Sequence, residues 1–188
     1  MTINEQTREL VLYNLGLRGF MLYGVDCDVY EVEKPRMPIE ELFIELVKGD
    51  VREARYIESL AFVVENDLPD YAKLINVAIE RGLVNQTGYI LEGIFKVFRE
   101  YRPDLEVSGL EFAISKLYEM RDPNDQFLTR LDIPNEREAL SENRAPEDLK
   151  WNILGGITHS QLVAKYRSCH NFGLKEYKRK LAEASAGN

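Results

Sequence analysis

The sequence predicts a mainly α protein, an antiparallel helix bundle or short helical stack with a minor β-hairpin near residues 18–33. Apolar residues recur every three or four positions through most of the chain, which is the spacing of one helix face. Three such helices are predicted in succession between residues 50 and 101. The links between them are short, which favours antiparallel packing of neighbours. This central stretch should therefore form the core.

Capping and helix-breaking residues set the predicted boundaries of these three helices. Asp50 opens the first in a capping-box pattern, and Pro69 stops it near residue 66. The second begins at about Asp70 and ends at Gly82, since glycine adopts the left-handed conformation that closes helices. The third covers residues 85–101. Its apolar stripe is Ile90, Leu91, Ile94, Phe95, Phe98 and Tyr101, and Phe95, in the middle, is expected to be buried.

Two helices and the hairpin are predicted before residue 50. The first helix covers residues 2–14. Residues 18–33 are rich in Phe, Tyr and Val that partly alternate with acids, as in strands, and Gly24 suits the turn of a hairpin. A short helix then covers residues 39–48. Its inward residues are Ile39, Leu42, Phe43, Leu46 and Val47.

The chain is predicted to divide into three parts. Residues 1–123 form a helical body, residues 124–145 an irregular connecting segment, and residues 146–188 a basic C-terminal helical module. The connecting segment is polar and interrupted by proline, which is typical of loops. Pro146 suits the first turn of the helix that follows. A chain that ends near Ala145 is therefore expected to fold.

Composition indicates an ordinary globular protein. Of 188 residues, 45% are apolar and 30% charged, and no apolar run approaches the roughly 20 residues that span a bilayer. The first residues lack the basic start and apolar run of a signal peptide. Two cysteines are too few for a disulfide framework. We therefore expect a cytoplasmic protein with reduced thiols and no membrane contact.

The net charge of −8 is unevenly distributed. Residues 150–188 hold seven basic residues against two acidic ones, giving +5, so the rest of the chain must carry −13 to reach that total. An acidic body followed by a basic part favours an anionic partner for the basic part. The alternative is a basic helix that is only solvated.

The sequence from residue 160 onward has the residue pattern of a helix-turn-helix. Helices are predicted over residues 160–167 and 174–184, with Ala164 at their crossing and a turn near Ser168. The second helix would turn its apolar residues inward and its cations outward, as a DNA-recognition helix does. The predicted partner is duplex DNA, and the predicted nucleic-acid-binding residues are Lys175, Lys178, Arg179 and Lys180. The alternative is a helix pair with a solvated basic face.

No catalytic or cofactor-binding motif is found. Asp26 and Asp28 are similar to the metal-binding acid pair of nucleotidyltransferases, which holds two Mg²⁺ ions. Gly24, however, lies only two residues before Asp26, which leaves no room for the helix that such a site needs. Two acids on the solvent face of a strand explain the residues equally well. We therefore expect no enzyme activity and no cofactor.

Four residues are of the types that bind soft metals, namely Cys27, His159, Cys169 and His170. No pair among them has the spacing of a closed zinc site, so no metal site is predicted. Cys169 and His170 are adjacent. A Cys–His nucleophile pair stays open as an alternative, because its members need not be close in sequence.

Acidic residues are dense between residues 26 and 67, where twelve acids face five bases. This stretch is a candidate docking face for a basic protein partner of the helical body. The alternative is that these acids only form the solvated side of the helices.

Residues 54–95 carry the one resemblance to a known kind of protein. The stretch resembles helical antitoxin-like proteins that are paired with small prokaryotic nucleotidyltransferases. The residues that carry the resemblance are Arg55-Tyr56-Ile57-Glu58, then a second helix, then Gly88-Tyr89-Ile90-Leu91-Glu92. The resemblance implies a non-catalytic regulatory protein whose helical body binds its partner and whose DNA-binding module represses the operon. That module usually precedes the body, whereas the candidate here follows it. The alternative is a protein–protein scaffold or adaptor with no nucleic-acid function.

Overall fold

The part of the chain described by the computed structural model is a mainly α helical stack with a two-stranded sheet. The predicted fold class is therefore confirmed. Most of the predicted hairpin at residues 18–33 lies outside the described residues, and residues 18–20 form a turn after the first helix. The described residues are 5–20, 34–48, 54–129 and 135–171.

The described elements follow one another with short connections. In chain order they are α1 Glu5–Leu17, α2 Ile39–Val47, α3 Ala54–Glu58, α4 Leu60–Asn66, α5 Tyr71–Glu80, α6 Val84–Tyr101, α7 Ser108–Glu119, β1 Gln126–Phe127, α8 Glu136–Ser141, α9 Pro146–Trp151, β2 Ile153–Leu154 and α10, residues 159–171. The helices predicted at residues 39–48 and 85–101 are found as α2 and α6. Helix α1 extends a turn beyond the predicted end and stops where Gly19 adopts a φ of 81°, a conformation that favours glycine.

The single helix predicted over residues 50–66 is wrong for the described residues 54–66, because two helices, α3 and α4, meet at Ser59. The backbone N–H of Ser59 and its hydroxyl both donate to the carbonyl oxygen of Tyr56, at 3.2 and 2.6 Å. A bond from residue i to i−3 tightens the turn, and a serine hydroxyl competes with the helical backbone pattern. Ser59 therefore interrupts the helix, although the apolar stripe continues on both sides of it.

The cap and the stop predicted for α5 are found in the structure. The Asp70 carboxylate accepts the N–H groups of the second and third residues of α5, at 3.0 and 3.1 Å, and Gly82 closes the helix with a φ of 65°. Ser108 is the first residue of α7. The cap position lies one residue earlier, and the Ser108 N–H donates to the Glu106 carboxylate at 2.6 Å.

Helix α6 is the centre of the structure. It contacts α2, α4, α5, α7, α9 and both strands, and every residue from 85 to 91 is buried. Gly88 leaves room for the indole of Trp151, since a Cβ at residue 88 would lie 2.1 Å from Cζ3 of that ring. The indole N–H donates to the Glu92 carboxylate at 2.7 Å, and the Asn85 amide donates to the Trp151 carbonyl at 2.9 Å. This helix therefore determines where α9 lies.

Strands β1 and β2 form a parallel pair at the end of α9. The N–H of Gln126 donates to the Asn152 carbonyl at 2.7 Å, and that of Leu128 to the Leu154 carbonyl at 2.9 Å. The segment expected to be irregular, residues 124–145, thus contributes a strand and the short helix α8. Parallel pairing therefore joins this segment in one ladder to residues that follow it in the chain.

Residues after 145 share the hydrophobic core of the helical body. Their buried side chains lie in the same cluster as those of α2, α4, α5, α6 and α7; they are Trp151, Ile153, Ile157, Leu162, Tyr166 and Cys169. The division at residues 123 and 145 remains a prediction about the sequence. The sequence predicted that a chain ending near Ala145 would fold. The packing reverses this expectation, because the side chains after residue 145 cover the buried face of α6.

We expect a chain that ends at Ala145 to lose cooperative unfolding. It would expose the α6 face that Trp151 covers, and removal of one large buried side chain alone costs about 3–5 kcal/mol. Circular dichroism during heating, with binding of a dye that reports exposed apolar surface, measures the effect. A chain that ends at Asn171 is the matched control and should melt cooperatively. A cooperative, unshifted melt of the shorter chain would show that residues 146–171 are dispensable.

Phe95 is only partly buried, contrary to the prediction, whereas Phe98 of the same helix is a core aromatic with 1% exposure. The guanidinium of Arg99 lies 5.1 Å from the centre of the Phe95 ring. We expect Phe98→Ala to lower the free energy of unfolding by about 3–5 kcal/mol, and Phe95→Ala by about half as much. Urea titrations of both variants give the comparison. Equal losses would contradict this assignment of the two rings.

Candidate functional site

The four predicted nucleic-acid-binding residues, Lys175, Lys178, Arg179 and Lys180, lie outside the described residues. The acid pair Asp26 and Asp28 and the thiol of Cys27 also lie outside them. Of the sequence-predicted candidates for chemistry, the structure describes three: His159, Cys169 and His170. All three lie on α10, the helix that leads to the predicted DNA-binding segment.

Glu65, near the end of α4, accepts hydrogen bonds from three donors that come from distant parts of the chain. Its carboxylate is 7% exposed and lies 2.8 Å from the hydroxyl of Tyr166 and 2.7 Å from Nε2 of His170. The guanidinium of Arg102, just after α6, forms an ion pair with the same carboxylate. We call these four residues the Glu65 cluster.

Aromatic rings surround the imidazole of this cluster. The His170 ring meets the Tyr166 ring at a centroid distance of 4.6 Å and the Phe62 ring at 5.1 Å, both edge to face. The Tyr166 ring lies 6.1 Å from that of Tyr101 and 6.4 Å from that of Phe98. Helix α10 is therefore held on α4 and α6 by rings as well as by charges.

Burial and a nearby positive charge both act on the pKa of the histidine in the Glu65 cluster. Arg102 balances the carboxylate of Glu65 and also binds Asp104 through Nε and Nη2, at 3.0 and 2.9 Å. Burial of the ring, and then the positive charge of Arg102, lower the pKa of His170. A neutral imidazole that donates from Nε2 to an ionised Glu65 leaves Nδ1 as an acceptor. The cluster thus joins three elements through one carboxylate.

Cys169 and His159 do not join this cluster. The Cys169 side chain is buried in the core, and burial raises the pKa of its thiol to about 11, so the thiol is protonated at neutral pH. Nε2 of His159 lies at the other end of α10, 3.0 Å from the Glu100 carboxylate. Cys169 therefore provides no thiolate for the Cys–His nucleophile pair that the sequence left open.

The helix-turn-helix predicted around Ser168 is wrong in its described part. Helix α10 continues through Ser168 to residue 171, and Ala164, expected at a helix crossing, is exposed. The helix begins earlier than predicted because Thr158 and Gln161 cap it reciprocally: the Thr158 N–H donates to the Gln161 side chain at 2.8 Å, and the Gln161 N–H to the Thr158 hydroxyl at 3.3 Å. It continues because its buried stripe does not end before Cys169.

Part of the acidic stretch at residues 26–67 is used inside the protein. Glu40 accepts the Asp70 N–H at 2.8 Å and pairs with Lys73 at 3.2 Å. Asp67 pairs with the buried Arg18 at 2.8 Å. Together with Glu65, these carboxylates stabilise contacts between elements, so they are not free to form the docking face expected from the sequence.

Comparisons with protein-family models, with curated proteins and with solved structures found no match to this chain. Within the described ranges, no group of three or more His, Cys, Asp or Glu side chains is arranged to hold a metal ion. No helix in the described part of the chain is both long and apolar enough to cross a membrane.

Acidification should weaken the contact between α10 and the body. Because folding lowers the pKa of His170 from its ordinary 6.5, the unfolded chain binds this proton more readily than the folded one. The stability contributed by neutral His170 is present above about pH 6.5 and is lost as the pH falls through that value. Melting temperatures at about pH 7.5 and about pH 5.5 measure the loss.

The chain contains two histidines, which provides a matched control. His170→Asn should reduce the decline in melting temperature between the two pH values more than His159→Asn does, because His159 pairs with Glu100 on the surface, where ion pairs contribute little to stability. An equal decline in the wild type and the His170→Asn variant would show that another group carries the pH dependence.

Proposed function

We propose that the protein is a non-catalytic regulatory protein of the antitoxin-like kind. Its helical body would bind a protein partner, and its C-terminal part would bind duplex DNA through the basic segment, which we define as residues 175–180. The cations of this segment are Lys175, Lys178, Arg179 and Lys180.

The Glu65 cluster is the observation that carries this proposal. His170 is held on the body by Glu65, and the basic segment begins five residues later in the sequence. The cluster thus fixes the end of the helix after which this cation-rich stretch follows in the sequence. A cation-rich stretch in an acidic protein supports binding to an extended polyanion.

The acidic body opposes DNA binding, and its effect depends on distance. The part of the chain before residue 150 carries −13 against +5 afterwards. Exposed charges separated by more than about 8 Å are largely screened at physiological salt. Phosphates that contact the basic segment would therefore be repelled mainly by acids close to α10. Glu100 is such an acid, and it is paired with His159.

A protein–protein scaffold without nucleic-acid function is the second candidate, and one observation favours it. Leu17 and Leu68 have 51% and 59% exposure, and they adjoin Arg18 and Asp67, which form an ion pair. Two exposed leucines therefore lie at the same end of the body. Apolar groups in that position suit a protein contact.

DNA binding through the basic segment should depend steeply on salt. If four phosphates are neutralised, raising the salt from about 50 mM to about 200 mM should weaken binding by roughly 10²-fold, because each contact releases about 0.9 counterion. The double variant Lys178→Glu/Arg179→Glu should bind weakly even at low salt. Fluorescence anisotropy of a labelled duplex measures both effects.

The double variant Lys116→Glu/Arg137→Glu is the matched control. It changes the net charge by the same amount at two exposed positions on α7 and α8, and it should bind almost as the wild type does. Equal losses in both variants would mean that only net charge matters. If the wild type binds no duplex at low salt, the proposed DNA-binding function is wrong, and the protein–protein scaffold is the remaining candidate.

A further inference from the structure

Helix α10 is attached to the body at two places, and its first part is held by apolar packing. Leu162, with 1% exposure, lies against Gly93 of α6. A Cβ at residue 93 would come within 2.5 Å of Cδ1 of that leucine, so the two helices approach closely there. Just before the helix, Ile157 is buried and its carbonyl accepts the Tyr89 hydroxyl at 2.8 Å. Residues 157–163 are therefore fixed on α6.

The last part of α10 is attached by polar bonds to one carboxylate. Glu65, near the C-terminal end of α4, accepts the Tyr166 hydroxyl at 2.8 Å and lies 2.7 Å from Nε2 of His170. Besides Tyr166, the buried side chain among residues 166–171 is that of Cys169. The last turns thus contribute less apolar packing than the first part does, and they depend more on hydrogen bonds.

Arg167 provides a further attachment of the same turns, at the surface. Its guanidinium interacts with Tyr101 and Glu100 of α6. Glu100 is 50% exposed, and charge pairs in such positions contribute little to stability. Among the described residues, the Glu65 cluster is therefore the main polar attachment of these turns.

We propose that the Glu65 cluster is a latch: residues 166–171 leave α4 and α6 when its hydrogen bonds to α10 break, while residues 157–163 stay in place. The released state is a local opening, in which one part of a protein separates while the rest stays folded. This conformational device does not depend on the proposed function.

Arg102 allows this opening without leaving an isolated buried charge. It follows α6 and is not part of α10, so its ion pair with Glu65 stays in place when the helix end leaves. The Asp104 carboxylate binds the same guanidinium through Nε and Nη2. Water then replaces the Tyr166 hydroxyl and the His170 ring beside Glu65. Because a buried charge without a partner is strongly unfavourable, the retained ion pair lowers the free energy of the opening.

Cys169 reports the opening, since its side chain is 9% exposed and belongs to the core beneath these turns. Burial raises the pKa of its thiol to about 11, and the thiolate is the form that reacts with disulfide reagents. Release of the helix end would expose the sulfur and remove the cause of the raised pKa. A thiol reagent therefore labels Cys169 in the open state.

The rate of labelling by a chromogenic disulfide reagent, at about pH 8, follows the population of the open state. Every protein carries Cys27→Ser, which leaves Cys169 as the single thiol of a chain with two cysteines. Glu65→Gln should raise the rate by about tenfold or more, because hydrogen bonds to a charged group stabilise only the closed state. Glu111→Gln is the matched control. It removes a carboxylate from an exposed ion pair with Arg99 and should leave the rate within about twofold of the parent.

Two further variants distinguish local opening from unfolding. Tyr166→Phe removes one hydrogen bond to Glu65 but keeps the ring, and it should also raise the rate; it carries the test if circular dichroism shows that Glu65→Gln disturbs folding. Leu74→Ala destabilises the whole protein at a fully buried residue of α5 and should leave the rate within about twofold of the parent. Parent-like labelling of the folded Glu65 and Tyr166 variants would overturn the latch. So would an increase for Leu74→Ala as large as that for Glu65→Gln, because Cys169 would then be reached only by unfolding of the whole protein.

Discussion

The burial of Trp151 against the backbone of α6 is the contact on which the C-terminal third of the structure depends. The indole can lie there because Gly88 has no side chain, and its N–H has an acceptor because Glu92 lies one turn further along the same face. Asn85 then binds the carbonyl group of Trp151. Once these contacts are made, β2 must start beside α6, and β1 can pair with it. A large apolar ring, one missing Cβ and two polar partners thus place α9 and the two strands.

A second constraint arises where α4 ends. Negative side chains are unfavourable at the C-terminal end of a helix, because the helix dipole is negative there. Glu65 and Asp67 both occupy this region, and cations compensate each of them: Arg102 pairs with Glu65, and Arg18 pairs with Asp67. The two arginines are far apart in the sequence, so the ion pairs join the ends of α1 and α6 to the end of α4. Tyr166 and His170 join α10 to the same Glu65 carboxylate.

Local signals were enough to predict part of this structure. Asp70 and Gly82 bound α5 as expected, since a cap and a stop depend on neighbouring residues. The break at Ser59 was missed, because the apolar stripe passes through it without change. The turn predicted at Ser168 was wrong, because the buried stripe of α10 continues through Cys169. That prediction relied on a similarity to the helix-turn-helix pattern and not on the stripe. Periodicity therefore predicts which face is buried better than it predicts where a helix is interrupted.

Long-range contacts could not be predicted from the sequence. The spacing of Tyr166 and His170, four residues apart, places both on one helix face, but their common acceptor, Glu65, is about one hundred residues away. The pairing of β1 with β2 depends equally on the packing of α9 on α6. Nothing in the local pattern of Gln126 or Ile153 indicates a parallel ladder. The DNA contacts of the basic segment remain predictions, since Lys175 to Lys180 lie beyond the described residues.

The packing of Trp151 on Gly88 also restricts how this sequence can diverge. Any side chain at residue 88 would collide with the ring at residue 151, so a homologue could enlarge one position only by reducing the other. The two should therefore covary, although 63 residues separate them. Glu92 loses one of its partners if the indole is lost, because it accepts the indole N–H. Asn85 binds backbone groups of Trp151 and Asp122, which any residue would provide, so it need not change with the ring.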